Sequence, residues 1–174
     1  MLTLTGEKLY LRALEPEDLE FIYQIENDES IWEISATQTP YSRFLIKQYL
    51  ENAHQDIYEA KQLRLVMVNM KKETVGLIDL FEFDPKNKRV GVGLLIAKSE
   101  HKHKGYGKEA LQLVCSYAFT HLHVHQVYAN IGEDNAASIK LFESLNFKQI
   151  GVKRDWNYVN GEYKNELFYQ KLAE

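Results

Sequence analysis

Three apolar runs, LRLVMVNM (63–70), TVGLIDLFEF (74–83) and RVGVGLLIA (89–97), follow one another across the spacers KKE and DPKNK. Spacers this short can only reverse the chain, because a parallel return needs a dozen residues or more. The runs therefore predict an antiparallel meander. Around it, KLYLRAL (8–14) alternates like a strand, and Glu15, Pro16, Glu17 and Asp18 then supply acids and a first-turn proline for a helix reaching about Asn27. After a loop containing Pro40, the stretch 42–60 carries apolar residues at helical spacing behind a Ser42 cap. Downstream, 108–122 places Ala110, Leu111, Val114, Cys115, Ala118 and Phe119 on one helical stripe. The stretch 125–131 reads as a strand and 135–145 as a helix opened by Asn135. The last part, 147–172, reads as a hairpin turned at Asn160-Gly161. With 174 residues, 45% of them hydrophobic, the chain is expected to form a single α/β domain spanning 1–174, a mixed and mainly antiparallel sheet with helices on both faces.

Composition narrows the partners. A formal charge of −4 argues against nucleic acid, whose recognition rests on a basic face, and favours small basic molecules. No apolar run approaches the roughly 18 residues of a membrane span, so neither membrane nor targeting segment is expected. The lone Cys115 cannot form an internal disulfide and suits a reducing, cytoplasmic setting.

The stretch EHKHKGYGKEALQL (100–113) joins the last meander strand to a helix. Glycines permit a sharp turn there, and the first helical N–H groups lack partners within the helix. Lys102, His103, Lys104 and Lys108 add positive charge to the helix dipole, so the loop is suited to a phosphorylated ligand. A P-loop is excluded, because no Gly-Lys-Ser/Thr follows Gly105 and Gly107. The degenerate dinucleotide pattern G-Y-G-K-E-A competes, although no acid stands near position 127 to hold a ribose. So does a plain glycine turn with solvated lysines.

KHKGYG (102–107) also resembles the pyrophosphate loop of the GNAT superfamily of N-acetyltransferases, [QR]-x-x-G-x-[GA], with Lys102 where Gln or Arg is usual. RVGVGLLIA resembles that family's fourth strand. DNAASIKLFESLNF (134–147) resembles its N-x-x-A-x-x-x-Y helix, and DWNYVNGEYKNELFYQ (155–170) its closing hairpin. Within the superfamily the chain is most similar to bacterial diamine and spermidine N-acetyltransferases, through NDESIWE near position 30, GLIDLFEF (76–83) and NGEYKNE in the hairpin.

The resemblance implies direct attack of an amine on the thioester of acetyl-CoA, with a diamine or polyamine as first choice of acceptor. N-terminal acetylation of a protein or peptide, and nonenzymatic acyl-CoA binding, are the alternatives. It places acetyl-CoA on the loop residues Lys102, His103, Lys104, Gly105, Tyr106, Gly107 and Lys108, on Asn135 and Ser138, and on the strand. There a backbone N–H of Leu94, Leu95 or Ile96 would face the developing oxyanion, with Gly91 and Gly93 assisting a bulge that splays the strand.

Candidate acids for the amine are Glu82, Glu33 and Asp79, with Asp28 and Glu29 nearby. Strict alternation puts Leu77, Asp79, Phe81 and Phe83 on one face and Ile78, Leu80 and Glu82 on the other. Asp79 and Glu82 are thus expected to be half-buried, with raised pKa values. Phe142 falls at the helix position where many relatives carry the tyrosine that protonates the departing thiolate; it is expected beside the CoA sulfur, where a phenyl ring donates nothing. H-L-H-V-H (121–125) has no nearby Cys or acidic ligand, so no metal is expected. Trp32, Tyr41, Trp156 and Tyr158 are candidates for a substrate pocket, and the aromatic hairpin is a candidate surface for a homodimer or higher homo-oligomer.

Overall fold

Side-chain oxygens set the turns of the meander. A computed structural model of the chain describes residues 2–174. In it β2 (Leu63–Asn69) reverses into β3 (Thr74–Asp84) around Asn69, whose side chain accepts from the N–H groups of Lys71 and Glu73 at 3.0 Å each. Asp84 does the same for Asn87, at 2.9 Å, before β4 (Arg89–Ile96). These local bonds satisfy the turn backbone and fix the reversal. β1 (Leu9–Ala13) pairs with β2, and β5 (Gln126–Gly132) runs parallel to β4. The hairpin of β6 (Lys148–Val159) and β7 (Glu162–Leu172) closes a seven-stranded sheet ordered β1-β2-β3-β4-β5-β7-β6. Its turn places Asn160 at φ 51° and Gly161 at φ 87°, the left-handed pair that a two-residue hairpin requires.

Helices cover both faces. On one, α5 (Tyr106–Thr120) and α6 (Ala136–Ser144) pack on Leu65, Met67, Ile78 and Leu80. On the other, α1 (Leu19–Glu26) and α3 (Arg43–Glu51) bury Ile22, Ile25 and Ile46 against Val66, Val68 and Leu77. Adjacent residues of β2 and β3 thus feed opposite cores, as a strand buried on both faces must. Asp18 anchors α1: only 4% exposed, it binds both outer nitrogens of Arg12 at 2.7 and 2.8 Å and the N–H of Glu15 at 2.8 Å.

Three expectations are corrected. The helix expected over 42–60 is broken: α3 ends at Glu51, and Asp56 starts a separate α4 (Ile57–Ala60) by accepting from the N–H groups of Tyr58 and Glu59. A carboxylate that caps two donors competes with the continuing helix. A further helix, α2 (Glu29–Ser35), occupies what reads as loop; Asp28 caps it, and none of its residues is fully buried, although Ile31 packs partly against the α1–α3 core. The alternation of β3 fails at Glu82. That residue takes φ 49° where the β3–β4 register shifts, and beyond it Phe83 joins the core of Ile78 and Leu80 rather than the face of Leu77. One extra residue in a bulge moves every later side chain to the other face.

Candidate active site

The site has a backbone half and a side-chain half. In the backbone half, β4 pairs with β5 only from Arg89 to Gly91, although β4 continues to Ile96 and β5 to Gly132. The two strands therefore part, and the β5-facing backbone of residues 92–96 borders an opening. Its polarity follows from the other edge. The Ala97 N–H donates to the Val75 carbonyl at 2.9 Å, continuing the register Ile96↔Gly76 and Leu95↔Leu77. Antiparallel ladders alternate, so the N–H groups of Gly93 and Leu95 belong to the β3 side while those of Leu94 and Ile96 point into the opening. Of the three expected donors, Leu95 is therefore corrected: its N–H lies in the ladder, and only its side chain reaches the site. The β3–β4 ladder has its own register shift, which lies in β3 at Glu82. Gly91 seats the Phe81 ring, which a Cβ there would overlap at 2.2 Å.

Where β4 ends, a 3-10 turn (Ser99–His101) leads into the loop Lys102–Gly105, and α5 begins at Tyr106. Gly105 is the N-cap at φ 84°, left-handed backbone that suits glycine, and no side chain caps the helix. The first α5 N–H groups and the macrodipole are thus presented with Lys102, His103, Lys104 and Lys108 around them. Lys8, which the sequence did not single out, sends its ammonium to the Lys104 carbonyl at 3.2 Å. Glu109 ties the same region down, accepting from the N–H groups of Glu7, Lys8 and Leu9. The opposite wall is α6. Its cap Asn135 accepts from the Ser138 N–H at 3.1 Å, and Leu141 stands 3.4 Å from where a Cβ of Gly107 would sit. The opening, the uncapped helix start and the glycine turn fit an extended thioester ending in a pyrophosphate.

The side-chain half is a cleft of about 940 Å³ between α1–α3 and the strands β2–β4. It reaches Gly93, Leu94 and Leu95 at its base. Arg64 organises it, binding both oxygens of Asp79 at 2.8 and 2.9 Å and one oxygen of Glu26 at 2.8 Å. Burial works against the Arg64 charge, yet the Asp79 pairing holds its pKa above the usual value. Tyr41 and Tyr49 line the same cleft, and burial raises the pKa of Tyr49. Asn27 fixes Tyr41 by bonding both its N–H and its carbonyl.

Most of the other expected side chains lie outside the lining of this cleft. Asp79 lines it, but as the partner of Arg64. Glu82 is exposed in the bulge, contrary to the half-burial expected, and accepts the Tyr128 hydroxyl at 2.6 Å. Burial and that carboxylate acceptor both push the Tyr128 pKa up. Glu33, on α2, binds Lys164 of β7 at 2.7 Å, and Lys164 binds Asp134 at the same distance. Phe142 is 2% exposed and packs edge-on against Phe147 in the core. Trp32 donates to the Glu26 carbonyl, while Trp156 and Tyr158 lie exposed on the hairpin. The residues that sequence reasoning missed are Glu26, Glu51 and Arg64. Their only signal is charge on elements that read as ordinary amphipathic helix and strand.

Among the described residues no group of His, Cys, Asp and Glu side chains is arranged to hold a metal ion, and no helix is long and apolar enough to cross a membrane. The model of the acetyltransferase (GNAT) domain matches residues 8–148. The chain is 29% identical over 160 residues to spermidine N(1)-acetyltransferase of Vibrio cholerae, covering 92% of this chain and 90% of that protein. Its fold superposes with a TM-score of 0.86 on spermidine N-acetyltransferase from Vibrio cholerae in complex with CoA and spermine, at 26% identity over 96% of each chain. A dodecameric structure of spermidine N-acetyltransferase from the same organism matches with a TM-score of 0.80 at 28% identity, over 96% of this chain and 95% of that one. With the parted strands, the glycine turn and the uncapped helix all inside the matched segment, the chain belongs to the GNAT family of acetyltransferases.

Proposed function

We propose that this acetyltransferase moves the acetyl group of acetyl-CoA to a primary amine of a diamine or polyamine, in the cytoplasm and as a homo-oligomer. The observation that carries the acceptor assignment is the charge of the cleft: Glu26, Glu51 and Asp79 line it against the single guanidinium of Arg64. An ammonium is drawn to such a cleft, whereas an acidic acceptor is repelled. The similarity to spermidine N-acetyltransferases supports the same choice.

The thioester carbonyl lies at the opening beside β4, where the Leu94 or Ile96 N–H donates to the oxygen that becomes negative as the amine nitrogen attacks the carbonyl carbon. The amine first loses a proton, because an alkyl ammonium with a pKa near ~10 has no lone pair. A water held by the Asp79 carboxylate carries that proton away. The C–S bond then breaks and a thiolate leaves. Phe142 cannot protonate it. A thiol with a pKa near ~8.5 departs without help close to neutral pH. Glu33 and Glu82 act through the field at the rim rather than by contact.

Exposed Trp156, Tyr158 and Tyr163 make the β6–β7 hairpin the proposed surface for self-association. The test is thiol release from acetyl-CoA across polyamines, amino acids, aminoglycosides and N-terminal peptides. Turnover fastest with diamines or polyamines is expected. Turnover confined to peptides would replace the acceptor class, and binding of acetyl-CoA without turnover of any amine would leave a sensor.

A further inference from the structure

The three carboxylates of the cleft are not equivalent. Asp79 and Glu26 share one guanidinium, so the inner cluster keeps a single unit of uncompensated negative charge. Glu51 sits in the last turn of α3, 64% exposed, and among the described residues its carboxylate has only Lys47, 4.0 Å away, as an ionic partner. Folding gains little from an acid there. The C-terminal end of a helix carries partial negative charge, which disfavours Glu51, and Lys preceding Glu by four residues is the weaker order for a helical ion pair. Tyr41 and Tyr49 line the same cleft, the Tyr49 ring with the Arg64 guanidinium 5.8 Å from its centroid, and their aromatic surface suits an alkyl chain.

We infer that the cleft selects amines with two charges, the inner Asp79–Arg64–Glu26 cluster receiving the end to be acetylated and Glu51 receiving the second ammonium. This rests on the amine-acetyltransferase reading above and adds the residue that sorts diamines from monoamines. Arg64 cancels half of the negative charge where the reacting nitrogen must become neutral, and Glu51, which among the described residues pairs only with Lys47, keeps its charge for the second nitrogen.

The test compares the intact enzyme with Glu51→Gln and Glu51→Asp, using 1,4-diaminobutane and butylamine. Glu51→Gln should raise the ratio of KM for diaminobutane to KM for butylamine by up to about fivefold, the upper end for one exposed ion pair. kcat for the diamine should change less than KM. Glu51→Asp should restore most of the wild-type ratio, and high salt should raise the wild-type ratio toward that of Glu51→Gln. If butylamine turns over too slowly, its inhibition constant against diaminobutane gives the same ratio. An unchanged ratio with diamine turnover intact overturns this inference alone. A wild-type enzyme that acetylates monoamines or peptides but no diamine overturns both this inference and the acceptor reading beneath it.

Discussion

The loop that opens α5 and the cleft between α1–α3 and β2–β4 recognise their ligands in opposite ways. The first uses backbone: a left-handed Gly105, the free N–H groups of the first helical turn, and the N–H groups of Leu94 and Ile96 beside the parted strands. The second uses side chains from elements far apart in sequence, brought together by Arg64, which joins Glu26 and Asp79 across separations of 38 and 15 residues. Backbone recognition tolerates many side chains but not added bulk. Side-chain recognition tolerates bulk but not a change of charge.

The largest effect should follow from adding bulk to the backbone half. A Cβ at Gly107 would stand 3.3 Å from Leu94 Cδ1 and 3.4 Å from Leu141 Cδ2, so Gly107→Trp has no room except toward the cosubstrate. Losing one or two charge-assisted N–H bonds should weaken acetyl-CoA binding by on the order of 100-fold, read by calorimetry. Lys104→Ala should cost only a few-fold, since it removes a surface charge and leaves the backbone in place. If the lysine mattered more than the glycine, the contrast between the two halves would be reversed.

In the cleft, Arg64→Ala would leave Asp79 and Glu26 together without their cation. Removing one partner of a largely buried pair should destabilise the fold by about 3 kcal/mol, measured by denaturant unfolding, and Arg64→Lys should recover only part because a single ammonium cannot reproduce the fork. A neutral Arg64→Ala would mean that the cluster is solvated and does not organise the cleft.

Next in size is Asp18→Asn, which loosens the anchor of α1 and should cost about 2 kcal/mol at neutral pH through lost charged hydrogen bonds. Burial pushes the Asp18 pKa up, but Arg12 and the Glu15 N–H outweigh it and hold the folded value below the usual one. A carboxylate with a depressed folded pKa contributes its stability above the unfolded value near ~3.9 and loses it as pH falls through the folded value. The difference between wild type and Asp18→Asn should therefore be constant from about pH 5 to about pH 7, above that unfolded pKa, and shrink in more acid solution. A difference that grows on acidification would contradict the pairing.

Glu33→Gln should have the smallest effect. It removes one of the two acids on Lys164, a partly exposed ion pair, and should not move Tm measurably. A large rise in diamine KM from Glu33→Gln would extend the acceptor site beyond the cleft and make the rim a direct contact.

The same contrast explains what could be read from the residues alone. The meander, the loop and the closing hairpin were legible because turn chemistry, glycine spacing and apolar runs are local. The cleft was not. Arg64 looks like an ordinary polar position of a strand, Glu26 and Glu51 look like solvated helix residues, and their meeting depends on packing that one sequence does not encode locally. α2 escaped because it buries none of its residues fully, and the displacement of Phe83 escaped because a bulge at Glu82 has no glycine to announce it. Asp79 was found for a different reason from the one that matters: it is in the cleft, but bound to Arg64.

The most direct test of the account is a crystal structure with CoA and a diamine. The pyrophosphate should lie against the N–H groups of residues 105–108, and the pantetheine arm between β4 and β5. The sulfur should lie near the Leu94 and Ile96 N–H groups, and one diamine nitrogen in the cleft beside the Arg64 cluster. A CoA bound away from the β4–β5 opening, or a diamine bound outside the cleft with its nitrogen far from the sulfur, would contradict it.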